Sequence, residues 1–153
     1  MSRPVVALHL TWGCYGFWLP NDPRGSWSTY VGNRRLHDVG GPARTVSTSR
    51  SLAKSPHDRQ LREATRREMN DPPVRLTGKQ AKTVALAIGQ IANDFDYRVF
   101  ACCVMPDHVH VAMRNTGCDA KQIIGGFKAA ATRQLNETND NPRPGKKPWV
   151  KGG

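Results

Sequence analysis

The sequence predicts an α+β domain in which an antiparallel sheet carries helices on one face. Three observations predict it. Two short runs, Val5 to Trp12 and His108 to Met113, alternate in polarity, and a third, Tyr97 to Met105, is rich in β-branched and aromatic residues. Two longer runs repeat their apolar residues at helical spacing. The resulting order of strand, helix, strand, strand, helix opens a split βαβ arrangement, ferredoxin-like, without its last strand.

In the first strand Val6, Leu8, Leu10 and Trp12 share one face, and Val5, Ala7, His9 and Thr11 share the other. From Gly13 to Ser55 the chain is rich in Gly, Pro, Ser and Asn, with Asn21-Asp22-Pro23-Arg24-Gly25 as a turn signal. The stretch at about 13–76 therefore reads as a loop and helix insertion within a single domain. It interleaves Arg24, Arg34, Arg35, Arg44 and Arg50 with Trp18, Trp27 and Tyr30. Such a surface can stack bases and hold phosphates; a solvated loop with packing aromatics is the alternative. Ser55-Pro56-His57-Asp58 reads as a helix start capped by Ser55. The charged helix Arg59 to Met69 follows, and Pro72-Pro73 ends it.

Thr77-Gly78-Lys79-Gln80 forms a capping box. Val84, Ile88, Ile91 and Phe95 then mark a core-facing helix. Pro106-Asp107 turns the strand Tyr97 to Met105 into the strand His108 to Met113. Gly117-Cys118-Asp119 opens the last helix, with Ile123, Ile124, Phe127, Ala131 and Leu135 on one stripe. Gly125-Gly126 inside it costs helix stability, and close approach to another backbone is the expected reason. From about Asn139 the tail is Pro- and Lys-rich and irregular.

The chain of 153 residues is long enough for one domain with its own core. Its net charge of +11 favours polyanionic partners: nucleic acid first, with ribosomal or anionic-membrane surfaces as alternatives. No apolar run approaches the roughly 18 residues of a membrane span. Met1 to Pro4 lead directly into the first strand, so no leader and a cytoplasmic location are expected. Cys14, Cys102, Cys103 and Cys118 lack disulfide-framework spacing and suit a reducing compartment. Cys102 or Cys103 with Cys118 and two histidines has the ligand types of a zinc site, but no C-x-x-C pair accompanies them; buried free thiols are the other reading.

The chemistry concentrates in Met105-Pro106-Asp107-His108-Val109-His110. Histidines at i and i+2 on a strand project from the same face, with Cα atoms about 6 to 7 Å apart. That is close enough for both imidazoles to hold one divalent ion. With Val6, Leu8, Leu10, Trp12, Val109, Val111 and Met113 expected to meet under the helices, His108 and His110 fall on the open face beside His9 and Thr11. Asp107, His9 and Thr11 are the supporting or substrate-contacting candidates.

Several blocks extend this into a family resemblance: His9-Leu10-Thr11-Trp12-Gly13, Trp18 through Gly25, Met105 through His110, Phe127 through Asn136, and Trp149-Val150-Lys151-Gly152-Gly153. Together they resemble the single-tyrosine HUH transposases (histidine, hydrophobic, histidine), which include small insertion-sequence transposases and REP-associated tyrosine transposases. The resemblance implies an HUH endonuclease fold and DNA transposition, by metal-dependent cleavage and strand transfer of single-stranded DNA. It assigns His108 and His110 as ligands of Mg²⁺ or Mn²⁺, and neutral imidazoles suit Mn²⁺ better. It further implies homodimers acting on hairpin ends, with no membrane, and a 5′-phosphotyrosine intermediate. The nucleophilic tyrosine is expected on a helix beyond Gly153, since Tyr15, Tyr30 and Tyr97 all precede the histidine pair and Phe127 has no nucleophilic oxygen. Arg24, Lys121, Lys128 and Arg133 are the DNA-contacting candidates. Two other functions compete: a non-catalytic hairpin-binding remnant or domesticated regulator, and a 2H-type phosphoesterase. The latter finds half its motif in His9-Leu10-Thr11 but has His110 where the second half needs Thr or Ser.

Overall fold

The computed structural model describes residues 4–25, 29–46, 52 and 54–151. Arg50 and Trp27, expected in the basic and aromatic surface, lie outside the described residues. The chain divides into two compact units, one formed by Met1–Tyr15 with Val74–Gly153 and one by Gly16–Pro73.

The first unit is the expected α+β arrangement. Strands β1 (Ala7–Gly13), β2 (Val99–Val104) and β3 (His108–Arg114) form one antiparallel sheet in the order β1-β3-β2. Val109, Val111 and Met113 of β3 are fully buried, and their partners on β1 are Trp12, Leu10 and Leu8. Val6, expected on this apolar face, is 74% exposed. The strand begins only at Ala7, so alternation at Val6 has no sheet to act upon.

Two helices of this unit pack on the inner sheet face. In Gly78–Asp94, Thr77 and Gln80 complete the capping box reciprocally: the Gln80 amide donates to Thr77 Oγ1, and the Thr77 amide donates to Gln80 Oε1. Val84, Ala87, Ile88 and Ala92 form its buried stripe. Phe95 falls outside that stripe, 62% exposed, because the helix stops at Asp94 and Phe95 caps it, stacking on Tyr97 instead. The other helix, Ala120–Glu137, starts at the Asp119 cap and buries Ile123, Ile124, Phe127, Ala131 and Leu135 as predicted.

Gly125 and Gly126 approach no other backbone. A Cβ built on either meets nothing within 4 Å. Close packing therefore does not explain them, and alanine at either position should stabilise the protein by roughly 0.5–1 kcal/mol. Urea melts of G125A and G126A test this; a loss of stability would mean an unseen steric demand.

After the last helix the chain is irregular yet anchored. Lys79 pairs with Asp140 at 2.9 Å, and the Trp149 indole N–H donates to Thr132 Oγ1 and the Lys128 carbonyl. Trp149 also bridges Cys14, with the Tyr15 amide donating to the Pro148 carbonyl and the Val150 amide to Gly13. One bridge beside β1 thus follows the three-stranded sheet.

In the second unit the turn at Asn21–Gly25 forms as expected, closed by the Gly25 amide donating to the Asp22 carbonyl. A seven-residue helix, Arg34–Gly40, interrupts what composition marked as loop; Asn33 caps it by accepting from the Arg35 amide. The next helix spans Arg59–Arg67, and its cap is Asp58, accepting from the Leu61 amide, rather than Ser55. A carboxylate at that position meets the third helical amide directly, so the Ser-Pro signal upstream is overridden.

This unit is organised on Asp22, whose side chain is 1% exposed and receives both Nε and Nη2 of Arg24 at 2.8 and 2.7 Å. Arg62 approaches at 3.4 Å. Burial pushes the Asp22 pKa up, but hydrogen bonds from the Arg24 side chain and backbone, with the charges of Arg24 and Arg62, hold it below the carboxylate's ordinary 3.8. A depressed folded-state pKa contributes stability present above 3.8 and lost as pH falls through the lower folded value. D22N should therefore cost about 1.5–3 kcal/mol near neutral pH and flatten the acid limb of the stability profile. Urea melts across acid pH test both statements.

Candidate metal centre on the open sheet face

Strand parity and one turn build the site. The register pairs Thr11 with His110, Gly13 with His108 and His9 with Ala112. Since Val109 and Val111 point inward, His108 and His110 project outward, beside His9 and Thr11 from β1. The four expected residues therefore share one face, with His9 exposed and the other three half-buried.

The turn is held from both sides. Pro106 and Asp107 join β2 to β3, and neither has a positive φ. Two-residue hairpins usually use turns with positive φ, because their twist matches the strands. Here the Leu76 amide donates to the Pro106 carbonyl at 2.7 Å, and the Cys14 amide donates to the Asp107 carbonyl at 2.8 Å. Both turn carbonyls are thus clamped by neighbouring backbone, which fixes the start of β3.

Asp107 Oδ1 lies 2.6 Å from His108 Nδ1. A carboxylate there holds the proton on Nδ1 and keeps the Nε2 lone pair as donor to a metal. His110 Nδ1 sits 2.9 Å from Thr11 Oγ1 and 3.1 Å from His9 Nε2. The His9 and His110 rings stack at 5.2 Å, while His108 and His110 meet edge to face at 4.6 Å. Burial first, then the neighbouring His108 and His9, lowers the His110 pKa below the ordinary imidazole value and favours the neutral, ligating form. On a nearby thiol burial and the Asp107 charge act together: Cys14, fully buried, is pushed up to about 12, by desolvation first and Asp107 second. That thiol stays protonated and unreactive.

Among the described residues no three His, Cys, Asp or Glu side chains converge on one ion position. The two imidazoles, each with its Nδ1 engaged, are of a type that suits a divalent ion, and among the described residues no third His, Cys, Asp or Glu joins them. His9 is engaged with His110 through its Nε2. The zinc grouping with Cys118 does not assemble: Cys14, Cys102, Cys103 and Cys118 are free thiols, and only Cys14 is buried.

The basic candidates of this unit lie away from the histidines. Lys121, Lys128 and Arg133 are on Ala120–Glu137, which packs on the inner side of the sheet, away from the histidines. Lys121 and Arg133 are exposed. Lys128 donates to the Val150 carbonyl at 3.2 Å, and burial, then the Lys147 charge, lowers its pKa to about 8. Arg24 is engaged with Asp22 in the other unit and stacks over Trp18. Of the tyrosines in this unit, Tyr97 packs edge to face on Phe127, and the Arg143 guanidinium lies over the Tyr15 ring at 3.7 Å.

Met105 escapes the sequence reading as a donor, and Cys103 enters it only within the zinc grouping with Cys118. Cys103 pairs with His110, and Met105 closes the hairpin opposite His108, its amide donating to the His108 carbonyl. Both sulfurs therefore belong to the histidine face. The signal was present in the two-residue turn, which fixes which residues of β2 oppose the histidines.

No helix among the described residues is long and apolar enough to cross a membrane. Among curated proteins no match is found. The family described as "Transposase IS200 like" matches residues 73–152, from the end of the second unit through both histidines to Gly152. With that match covering more than half of the chain, over the segment that carries the hairpin and its paired histidines, the chain belongs to the IS200-like transposase family.

Proposed function

We propose that this face serves metal-dependent cleavage and strand transfer of single-stranded DNA at hairpin ends during transposition. The observation that supports it most is the pair of imidazoles on one face, each with Nδ1 engaged so that Nε2 is left to bind. His108 and His110 would hold Mg²⁺ or Mn²⁺, and when bound such an ion supplies positive charge to a scissile phosphate. The protein's own part is positional. Asp107 fixes the tautomer of His108, Thr11 and His9 orient His110, and the clamped turn keeps both rings from swinging.

Cleavage through a phosphotyrosine needs a tyrosine on this face. Tyr97 is committed to packing and the Tyr15 ring is covered by Arg143, so neither is assigned that role. A second reading follows from the same observation: the chain binds DNA hairpins without cutting them, as a regulator or a copy that has lost activity. The net charge of +11 suits both. Nothing in the contacts of His9 or Thr11 favours the phosphoesterase reading.

A labelled single-stranded hairpin incubated with the protein and Mn²⁺, then resolved under denaturing conditions, separates the readings. Cleavage or a covalent protein–DNA adduct that disappears with a chelator supports the nuclease. Salt-sensitive hairpin binding without either product supports the binding protein. Absence of hairpin binding at low salt overturns both.

A further inference from the structure

We propose that Cys103, Met105 and His110 form a site for a soft monovalent ion, Cu(I), on the same face. The placement follows from the hairpin. Cys103 stands directly opposite His110 in the β2–β3 register, and side chains so paired lie about 4.5–5.5 Å apart at Cβ. Met105, two residues along the strand direction, returns to the same face. The two sulfurs are already in contact, with Cys103 Sγ 3.5 Å from Met105 Sδ. Both residues are exposed, so an ion reaches them from solvent.

The chemistry of the set selects the ion. A thiolate and a thioether are soft donors and an imidazole is borderline, a combination that favours Cu(I) over Mg²⁺ or Mn²⁺. The third donor of the proposed set is a thioether, a type outside the His, Cys, Asp and Glu groups, no three of which converge among the described residues. Binding releases the Cys103 thiol proton to solvent and changes no oxidation state. Cys102 provides the internal control. It pairs with Val111, on the opposite side of the strand, and takes no part.

Because His110 serves both sets, Cu(I) at the sulfurs would withdraw it from Mg²⁺ or Mn²⁺. This consequence alone rests on the function proposed above. The face would then be switched off by copper.

The test titrates the full chain, under reducing anaerobic conditions, with Cu(I) in competition with a chromophoric Cu(I) chelator. One ion per chain is expected, with X-ray absorption showing sulfur and nitrogen neighbours. C103S should weaken binding by about tenfold or more, M105L should weaken it measurably, and C102S should leave it unchanged. Circular dichroism confirms that each variant is folded, and M105L, an exposed change, keeps the test decisive if C103S is not. Wild-type affinity in both C103S and M105L, or equal losses in C102S and C103S, would overturn the site. Mn²⁺ binding, read by electron paramagnetic resonance before and after copper loading, tests the competition. Mn²⁺ that is displaced supports it, and Mn²⁺ retained alongside copper overturns the switch. A protein that binds Cu(I) as described but never binds Mn²⁺ would fail the proposed function and leave the copper site standing.

Discussion

Phe127→Ala is expected to destabilise the sheet-containing unit by about 3–5 kcal/mol, the range for emptying a buried aromatic site. Phe127 is fully buried, stacks on Trp12 at 6.1 Å and meets Tyr97 edge to face at 6.2 Å. It therefore joins the last helix to β1 and to the entry of β2. The helix cannot collapse freely into the space, since Trp149 anchors it through Thr132 and the Lys128 carbonyl. Truncation thus combines lost apolar burial with a persistent cavity. Urea unfolding of F127A and F127L checks the account: leucine should recover much of the loss, whereas equal losses would point to a role other than packing.

The second large effect concerns the open face. H108A or H110A should reduce Mn²⁺ affinity by about tenfold or more, since each removes one of the two imidazole donors proposed above. D107N should reduce it by about 10–100-fold if the carboxylate holds the tautomer of His108. T11V should act more weakly, because His9 Nε2 also lies within 3.1 Å of His110 Nδ1. Mn²⁺ titration measures all four without requiring DNA cleavage. Unchanged affinity in both histidine variants would remove the metal from this face. A D107N variant indistinguishable from wild type would make Asp107 a bystander to the turn.

These predictions also separate two kinds of information in the chain. Side-chain period is local: alternation at Val109 and Val111 alone sends His108 and His110 to one face, and the 3.6-residue repeat alone gathers Ile123, Phe127, Ala131 and Leu135 into a stripe. The capping box at Thr77 and Gln80 was equally legible, because its bonds span only three residues. Competition between signals was harder to read. Asp58 displaced Ser55 as a cap, and Phe95 fell just past the end of its helix. Gly125 and Gly126 suggested a close contact that packing does not contain.

The sequence by itself determined the strands, the main helices and the histidine pair, since each depends on neighbours a few residues away. The neighbourhood of His9, Thr11, His108 and His110 was legible too, but only the tertiary structure decided which atoms meet. It placed His9 Nε2 and Thr11 Oγ1 against His110 Nδ1, about one hundred residues along the chain. It clamped both carbonyls of the Pro106-Asp107 turn from Leu76 and Cys14, and it brought the Cys103 and Met105 sulfurs to 3.5 Å. It also put the lysines and arginine of the last helix on the far side of the sheet from the histidines. Pairing across a sheet is fixed by register, and register is settled by turns and by which apolar faces must be buried together. Neither is a property of any single stretch of residues.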